Sequence, residues 1–276
     1  SPSPSGSSVT PTARATATSP TPARAGSSRA TASGGRSAGG GAVPARWRPT
    51  AGLTWQWQID GSVDTSVTAD VFDVDLFTTS AATVKALQAK GTRVICYVNV
   101  GAAEDFRPDY RDFPAAMLGK GNGWPGERWL DIRWREVVGP VMARRFDLCK
   151  EKGFDGVEPD LTEAASNDTG FPISDTDQIA YNRYIARLAH ERGLAVGLKN
   201  YVEKAGVLVG DFDFAVNEQC FEFGECEALL PFVRAGKPVF HVEYEVPAAE
   251  FCPTVRRLGF SSMEKRYDLD AWRITC

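Results

Sequence analysis

The run Gly153-Phe154-Asp155-Gly156-Val157-Glu158-Pro159-Asp160 is a short apolar stretch that stops on two carboxylates. Further along, Phe212-Asp213-Phe214-Ala215-Val216-Asn217-Glu218 repeats the pattern. A strand that ends this way is expected to deliver its acids to the mouth of a sheet rather than to its interior. Two such strands imply paired acid chemistry. Glycosidic cleavage needs such a pair. One carboxylic acid protonates the leaving oxygen, and a second carboxylate attacks the anomeric carbon or activates water.

The elements that must position these acids alternate along the chain. Strands are predicted at Thr54–Ile59, Val71–Phe77, Arg93–Val98, Gly156–Glu158, Ala195–Lys199, Phe212–Asn217, Pro238–Val242 and Gly259–Met263. Helical spacing predicts helices over Ala81–Lys90, Val137–Lys152 and Ile179–Arg192, with further candidates at Val202–Val209, Cys226–Ala235 and Ala248–Leu258. Several helices stop at a glycine before the next strand, at Gly91, Gly153, Gly193 and Gly236. Eight strands with intervening helices predict a (β/α)8 TIM barrel. An open doubly wound sheet is the alternative, but no glycine-rich phosphate loop follows any strand. Polar residues gather at the strand ends: Asp60, Asn99 with Glu104, Glu158 with Asp160, Lys199 with Asn200, Asn217 with Glu218, and Glu243 with Tyr244. In a barrel these would ring the functional face.

Composition divides the chain. Residues 1–48 are Ser, Thr, Pro, Ala, Gly and Arg with little else, and no aromatic precedes Trp47. Such a stretch cannot bury enough apolar surface to offset its ordering entropy, so a disordered linker is expected there and one domain over 49–276. The linker lacks the apolar core of a signal peptide, and any export signal is expected to have been removed or omitted. No apolar run is long enough to cross a membrane. The net charge is −4, and residues 1–48 hold six Arg and no acid, which leaves −10 for the rest. A domain of that charge repels nucleic acid and favours cationic ligands. Six cysteines suggest an exported, disulfide-bonded protein, with Cys220–Cys226, Cys252–Cys276 and Cys96–Cys149 as the expected pairs; buried free thiols are the alternative. There is no CxxC and there are two histidines, so no metal or cofactor is expected. Nothing signals an oligomer, and a monomer is expected.

The motifs also carry a family likeness. Trp55-Gln56-Trp57-Gln58-Ile59-Asp60-Gly61, Val100-Gly101-Ala102-Ala103-Glu104, Trp129-Leu130-Asp131-Ile132-Arg133, the Glu158-Pro159-Asp160 run, Gly197-Leu198-Lys199-Asn200, Asn217-Glu218-Gln219-Cys220 and Val242-Glu243-Tyr244 together resemble glycoside hydrolase family 114. The resemblance implies a TIM barrel and endo-α-1,4-polygalactosaminidase activity on secreted galactosamine-containing polysaccharide. It implies Asp160 and Glu218 as the catalytic pair. From the chemistry, carboxyls about 5–5.5 Å apart would give retention and about 6.5–9.5 Å inversion; retention is expected, with Asp160 as nucleophile and Glu218 as acid/base. Past Asp160 the chain reads Leu161-Thr162-Glu163, where the family pattern often has Asn and a further Asp.

A cationic amino sugar calls for carboxylates and aromatic faces. The expected substrate-binding acids are Asp60, Glu104, Asp131, Glu158 and Glu243, with Tyr97 and Tyr244 among the aromatics. Lys199 is placed to hold a catalytic carboxylate ionised, and Asn200 to bind a sugar hydroxyl. Plainer roles compete: Asp160 as a cap, Glu218 in a salt bridge with Lys199, Asp131 paired with Arg133, His241 as a core histidine, and Trp55 and Trp57 as packing. The competing functions are a glycosidase on another polysaccharide or oligosaccharide, and a barrel that binds polysaccharide without cutting it.

Overall fold

The computed structural model of the protein describes residues 41–276. Most of the expected linker lies outside them. Arg46 and Trp47, on the linker side of the expected boundary, pack against the domain. Arg46 pairs with Asp213 at 3.0 Å, and the Trp47 ring centroid lies 6.3 Å from that of Phe214.

Eight parallel strands form a curled sheet in chain order: β1 (Trp55–Gln58), β2 (Val71–Asp75), β3 (Arg93–Asn99), β4 (Gly156–Asp160), β5 (Ala195–Lys199), β6 (Phe214–Glu218), β7 (Val239–Glu243) and β8 (Ser261–Glu264). A ninth, short strand, Ile274–Thr275, runs antiparallel to β8. The helices are α1 (Ala81–Ala89), α2 (Arg135–Glu151), α3 (Asp175–Glu191), α4 (Ala205–Leu208), α5 (Leu230–Arg234) and α6 (Ala248–Leu258). Gly91, Gly153, Gly193 and Gly236 all have φ between 68° and 88°, as αL stops demand. A capping box at Ser174 and Asp177 starts α3.

Strand alternation separates two apolar layers. Trp55, Trp57, Val71, Ile95, Phe214, Val216, Phe240, Val242 and Met263 point into the curl. The intervening residues face the helices, as Phe72 and Val74 do. Trp55 and Trp57 are therefore interior packing. All three expected disulfides are present, and no described cysteine is free. Cys276 follows the short ninth strand.

The closed (β/α)8 barrel is met only in part. Residues 59–70 join β1 to β2 without a helix, because Asp-Gly-Ser and Asp64-Thr65-Ser66 make turns there; Asp64 accepts from the Ser66 backbone. No helix follows β8, and no backbone ladder joins β1 to β8 among the described residues. The C-terminal segment spans that seam. Leu269 O accepts from Ile59 N at 3.0 Å and from Asp60 N at 3.2 Å. Gln56 Nε2 donates to Ala271 O at 2.8 Å, and Arg273 donates to Trp55 O at 2.8 Å. Trp55 Nε1 reaches Ser261 O directly at 3.0 Å. The spacing did not reveal one further element. Ala102–Glu104, Leu118–Gly121 and Glu127–Leu130 form a small antiparallel sheet between β3 and α2.

Lys265 is buried under this strap, donating to Asp270 O at 2.7 Å and to Gln56 Oε1 at 3.2 Å. Burial pushes its amine down to about 7. The unfolded chain, with an ordinary lysine, therefore binds more protons above pH 7, so folding stability from this group rises with pH through that window. Urea unfolding at pH 6 and pH 9 should show wild type gaining about 2–3 kcal/mol relative to Lys265→Met. Parallel pH dependence in the two proteins would show that Lys265 is not a buried neutral amine.

Candidate active site

The upper interior of the curl is polar. Alternation along β4 turns Glu158 and Asp160 inward together, and both are wholly buried. β5 turns Lys199 inward and β6 turns Glu218 inward. The ladder sets Lys199 opposite Val216, one step below Glu218. Lys199 Nζ then lies 2.9 Å from Glu158 Oε2, 3.2 Å from Asp160 Oδ1 and 3.4 Å from Glu218 Oε1. Those Asp160 and Glu218 oxygens are thus at most 6.6 Å apart, the 3.2 and 3.4 Å legs laid end to end. Below the ammonium, the Trp57 ring centroid is 4.7 Å away. Burial alone would drive the Lys199 proton off, but three carboxylates outweigh it and hold the amine well above its usual range.

Each catalytic candidate has further donors. Asp160 accepts from Tyr97 Oη at 2.5 Å and from Leu161 N at 2.8 Å. Glu218 accepts from Tyr244 Oη at 2.5 Å and Asn200 Nδ2 at 3.2 Å, and Asn200 Oδ1 takes the Glu218 backbone N–H at 2.8 Å. Burial and then the neighbouring carboxylate raise both tyrosines well above their usual range, so they remain protonated donors. The backbone is strained immediately past the acids. Leu161, Asn200, Tyr201 and Gln219, none of them glycine, have φ of 60°, 49°, 53° and 70°. The turn after Asp160 also presses on Gly101, where a Cβ would sit 2.0 Å from Leu161 O.

Of the other expected site residues, Glu104 is buried beside the cluster. It pairs with Arg107 at 3.3 Å, and Arg107 also holds Asp75 at 2.7 Å. Burial, opposed by Arg107 and reinforced by Glu127, raises the Glu104 carboxyl to about 7. Asp60 is exposed just past the end of β1. Asp131 is paired with Arg133 at 2.8 Å, the plain ion pair that competed with its substrate role. Glu243 lies on the opposite face of β7 from Tyr244. It bonds His241 and accepts from the backbone of Phe221 and Glu222, so it clamps the loop after β6 and does not reach the cluster. His241 packs edge-on against Phe251 and Phe260 in the outer layer. Glu158 corrects the reading of its strand as delivering acids to the mouth. β4 extends to Asp160, and alternation sets Glu158 one layer deeper, in the interior.

Two residues of this region escaped the sequence reading. Asp73 on β2 is buried among the same groups; an acid between Val71 and Asp75 on one strand face was the available signal. Glu163 accepts from Tyr201 N at 3.3 Å, and burial followed by the Glu203 charge raises its carboxyl to about 8. It stands in the stretch where the sequence departs from the family pattern.

Replacing Lys199 by Met would leave Glu158, Asp160 and Glu218 without their shared cation. Removing one partner of a buried ionic group costs about 3–5 kcal/mol. The loss should be full near pH 7 and shrink toward pH 4, because protonation removes the uncompensated charges. Denaturation of Lys199→Met across that range is the check; a pH-independent loss would mean the acids do not depend on the lysine.

The geometry agrees with what the chain is similar to. The family model for glycoside-hydrolase family GH114 matches residues 38–276. The crystal structure of Aspergillus fumigatus Ega3 in complex with galactosamine is 35% identical, with TM-score 0.80, over 84% of this chain and 98% of Ega3. The glycoside hydrolase domain of PelA from Pseudomonas aeruginosa shares the fold at 14% identity, with TM-score 0.65, over 81% of this chain and 99% of that one. No curated protein sequence matches significantly. With a match over all of the described residues and two inward carboxylates at the strand ends, the protein belongs to glycoside hydrolase family 114 and is a polygalactosaminidase-like glycoside hydrolase.

Proposed function

We propose that the protein is an exported, monomeric, endo-acting enzyme that cleaves α-1,4-linked galactosamine polymer with retention. Its domain spans residues 49–276 behind a spacer of residues 1–48, and the C-terminal strap serves in place of a β1–β8 ladder to complete a TIM barrel. The observation that carries the reading is the Asp160 and Glu218 pair bracketing Lys199 within 6.6 Å, the sum of the two legs given above. Retaining glycosidases hold their carboxyls about 5–5.5 Å apart, inverting ones about 6.5–9.5 Å. An upper bound at the bottom of the inverting range favours retention.

In this reading Glu218 gives its proton to the glycosidic oxygen as Asp160 Oδ attacks the anomeric carbon. Tyr97, Leu161 N and Lys199 orient the nucleophile. Glu218 then takes a proton from water, which releases the sugar from Asp160. Tyr244 and Asn200 keep the Glu218 carboxyl in line. Lys199 is engaged by the Glu158 and Asp160 carboxylates, so it offers little charge to repel a sugar ammonium. The net −10 of residues 49–276 draws a polycation toward the mouth, six Arg having been removed from the total of −4. Ega3, with its bound galactosamine, supports the choice of amino sugar. Three disulfides support export.

Glu218→Gln should lower turnover of an α-1,4-galactosamine oligomer by about 10²–10⁴-fold, with an activated aryl leaving group restoring the first step. Asp160→Asn should lose the covalent intermediate seen by mass spectrometry with wild type. Proton NMR of the first product should show the α anomer. A β-anomer product would remove Asp160 as nucleophile, and cleavage of neutral galactans alone would remove the amino-sugar assignment.

A further inference from the structure

The paired-acid mechanism uses two of the buried inward carboxyls and leaves Asp73 and Glu158 without a role. Both are completely buried. Asp73 lies on β2 in register with Ile95, and Glu158 lies on β4 in register with Tyr97; β3 runs between them. Each acid lies close enough to feel the other's charge. Apart from the Lys199 ion pair, no donor reaches any of the four oxygens among the described residues. Two ionised carboxylates side by side in a fully desolvated site repel each other strongly, so one of the two carries a proton.

We propose that Asp73 is a protonated positioning residue: it donates its proton to Glu158, keeps Glu158 ionised, and through Glu158 holds Lys199 so that the ammonium is shared downward as well as with Asp160 and Glu218. The assignment of the proton follows from the contacts. Glu158 touches the cation at 2.9 Å, which favours its charged form. Asp73 has no cation contact and is fully desolvated, which favours its neutral form; burial and then the Glu158 charge hold its carboxyl well above the usual range. The groups facing this column are Trp57 on β1, Asp73 and Asp75 on β2, Tyr97 on β3, Glu158 and Asp160 on β4, Lys199 on β5, Glu218 on β6 and Tyr244 after β7. Asp75 is already neutralised by Arg107. Without the Asp73 proton, Glu158 would itself become the neutral acid, and the whole Lys199 charge would fall on the catalytic pair.

The consequence is a pH profile tuned from one layer beneath the reacting atoms. This test rests on the glycosidase reading, with kcat/KM for an α-1,4-galactosamine oligomer as the measurement. Glu158→Gln, nearly isosteric, should move the alkaline limb of the profile to lower pH by roughly one unit. Asp73→Leu should move it the same way, the double variant no further, and Asp73→Asn, whose amide still donates to Glu158, should hold the limb in the wild-type position. A second measurement needs no activity. At pH 7 the infrared difference between wild type and Asp73→Asn should contain the carbonyl band of a protonated buried carboxylic acid. An unshifted limb in active Glu158→Gln, or a shifted limb in Asp73→Asn, overturns the proposal. So does a difference spectrum without the acid band. Should Asp73→Leu fail to fold, Glu158→Gln and the infrared difference still decide it. Wild type inactive on the oligomer would refute the substrate reading alone, and the infrared comparison would still decide the proton.

Discussion

One buried ammonium organises this molecule. Lys199 sits within 3.4 Å of carboxylates from β4 and β6, the strands that flank its own. In a low-dielectric interior such an arrangement is not simply stabilising. Desolvating each charge costs several kcal/mol, and the attraction repays this only with good geometry and full hydrogen bonding. That demand explains the surroundings. Tyr97 and Tyr244 satisfy the remaining carboxylate oxygens of the catalytic candidates, and Leu161 N and Asn200 donate to the same oxygens that Lys199 contacts. The Trp57 ring faces the ammonium from below. A one-residue slip of β5 would turn Lys199 out among the helices and leave three acids stranded, so the cluster also fixes strand register.

The frame that tolerates this interior is itself irregular. The β1–β8 seam depends on side chains and on the backbone of residues 269–273 rather than on a ladder. The Cys252–Cys276 disulfide anchors the end of that strap to α6. Chain entropy lost by closing such a loop in the unfolded state offsets part of what a missing ladder fails to provide. The polar column and the strap are therefore coupled. The strap keeps β1, and with it Trp57, in place, and Trp57 forms the floor on which Lys199 rests.

Much of this was legible in the chain. The eight strands and the glycine stops followed from spacing, and the resemblance singled out Asp160 and Glu218; the three disulfide pairs were expected, although six cysteines allow fifteen pairings. Three things were not. The small sheet from Ala102 to Leu130 consists of strands of three or four residues, too short for alternation to register. Glu243 looked like a mouth residue because it ends a strand, but the parity of β7 sends it outward to His241. Glu158 looked like a rim acid because the predicted strand stopped on it. Proline at 159 lacks a ladder donor, yet β4 continues through it to Asp160. In both misplacements strand end was read where strand face decides.

That distinction bears on the stretch where the chain departs from its family pattern. Leu161 adopts φ 60°, a conformation costly for a branched side chain, and its backbone N–H is thereby turned onto Asp160 Oδ1. Gly101 leaves room for the turn, and Thr162 pins it by donating to Lys199 O at 2.9 Å. Glu163 follows, its carboxyl raised to about 8 and accepting from Tyr201 N, itself in the left-handed region. The turns after β4 and β5 are thus strained against one another, each supplying the other with a hydrogen bond. The Leu161-Thr162-Glu163 sequence supplies the donor that the carboxylate needs. Tolerance of the departure lies in the backbone, which presents the same N–H whatever side chain carries it.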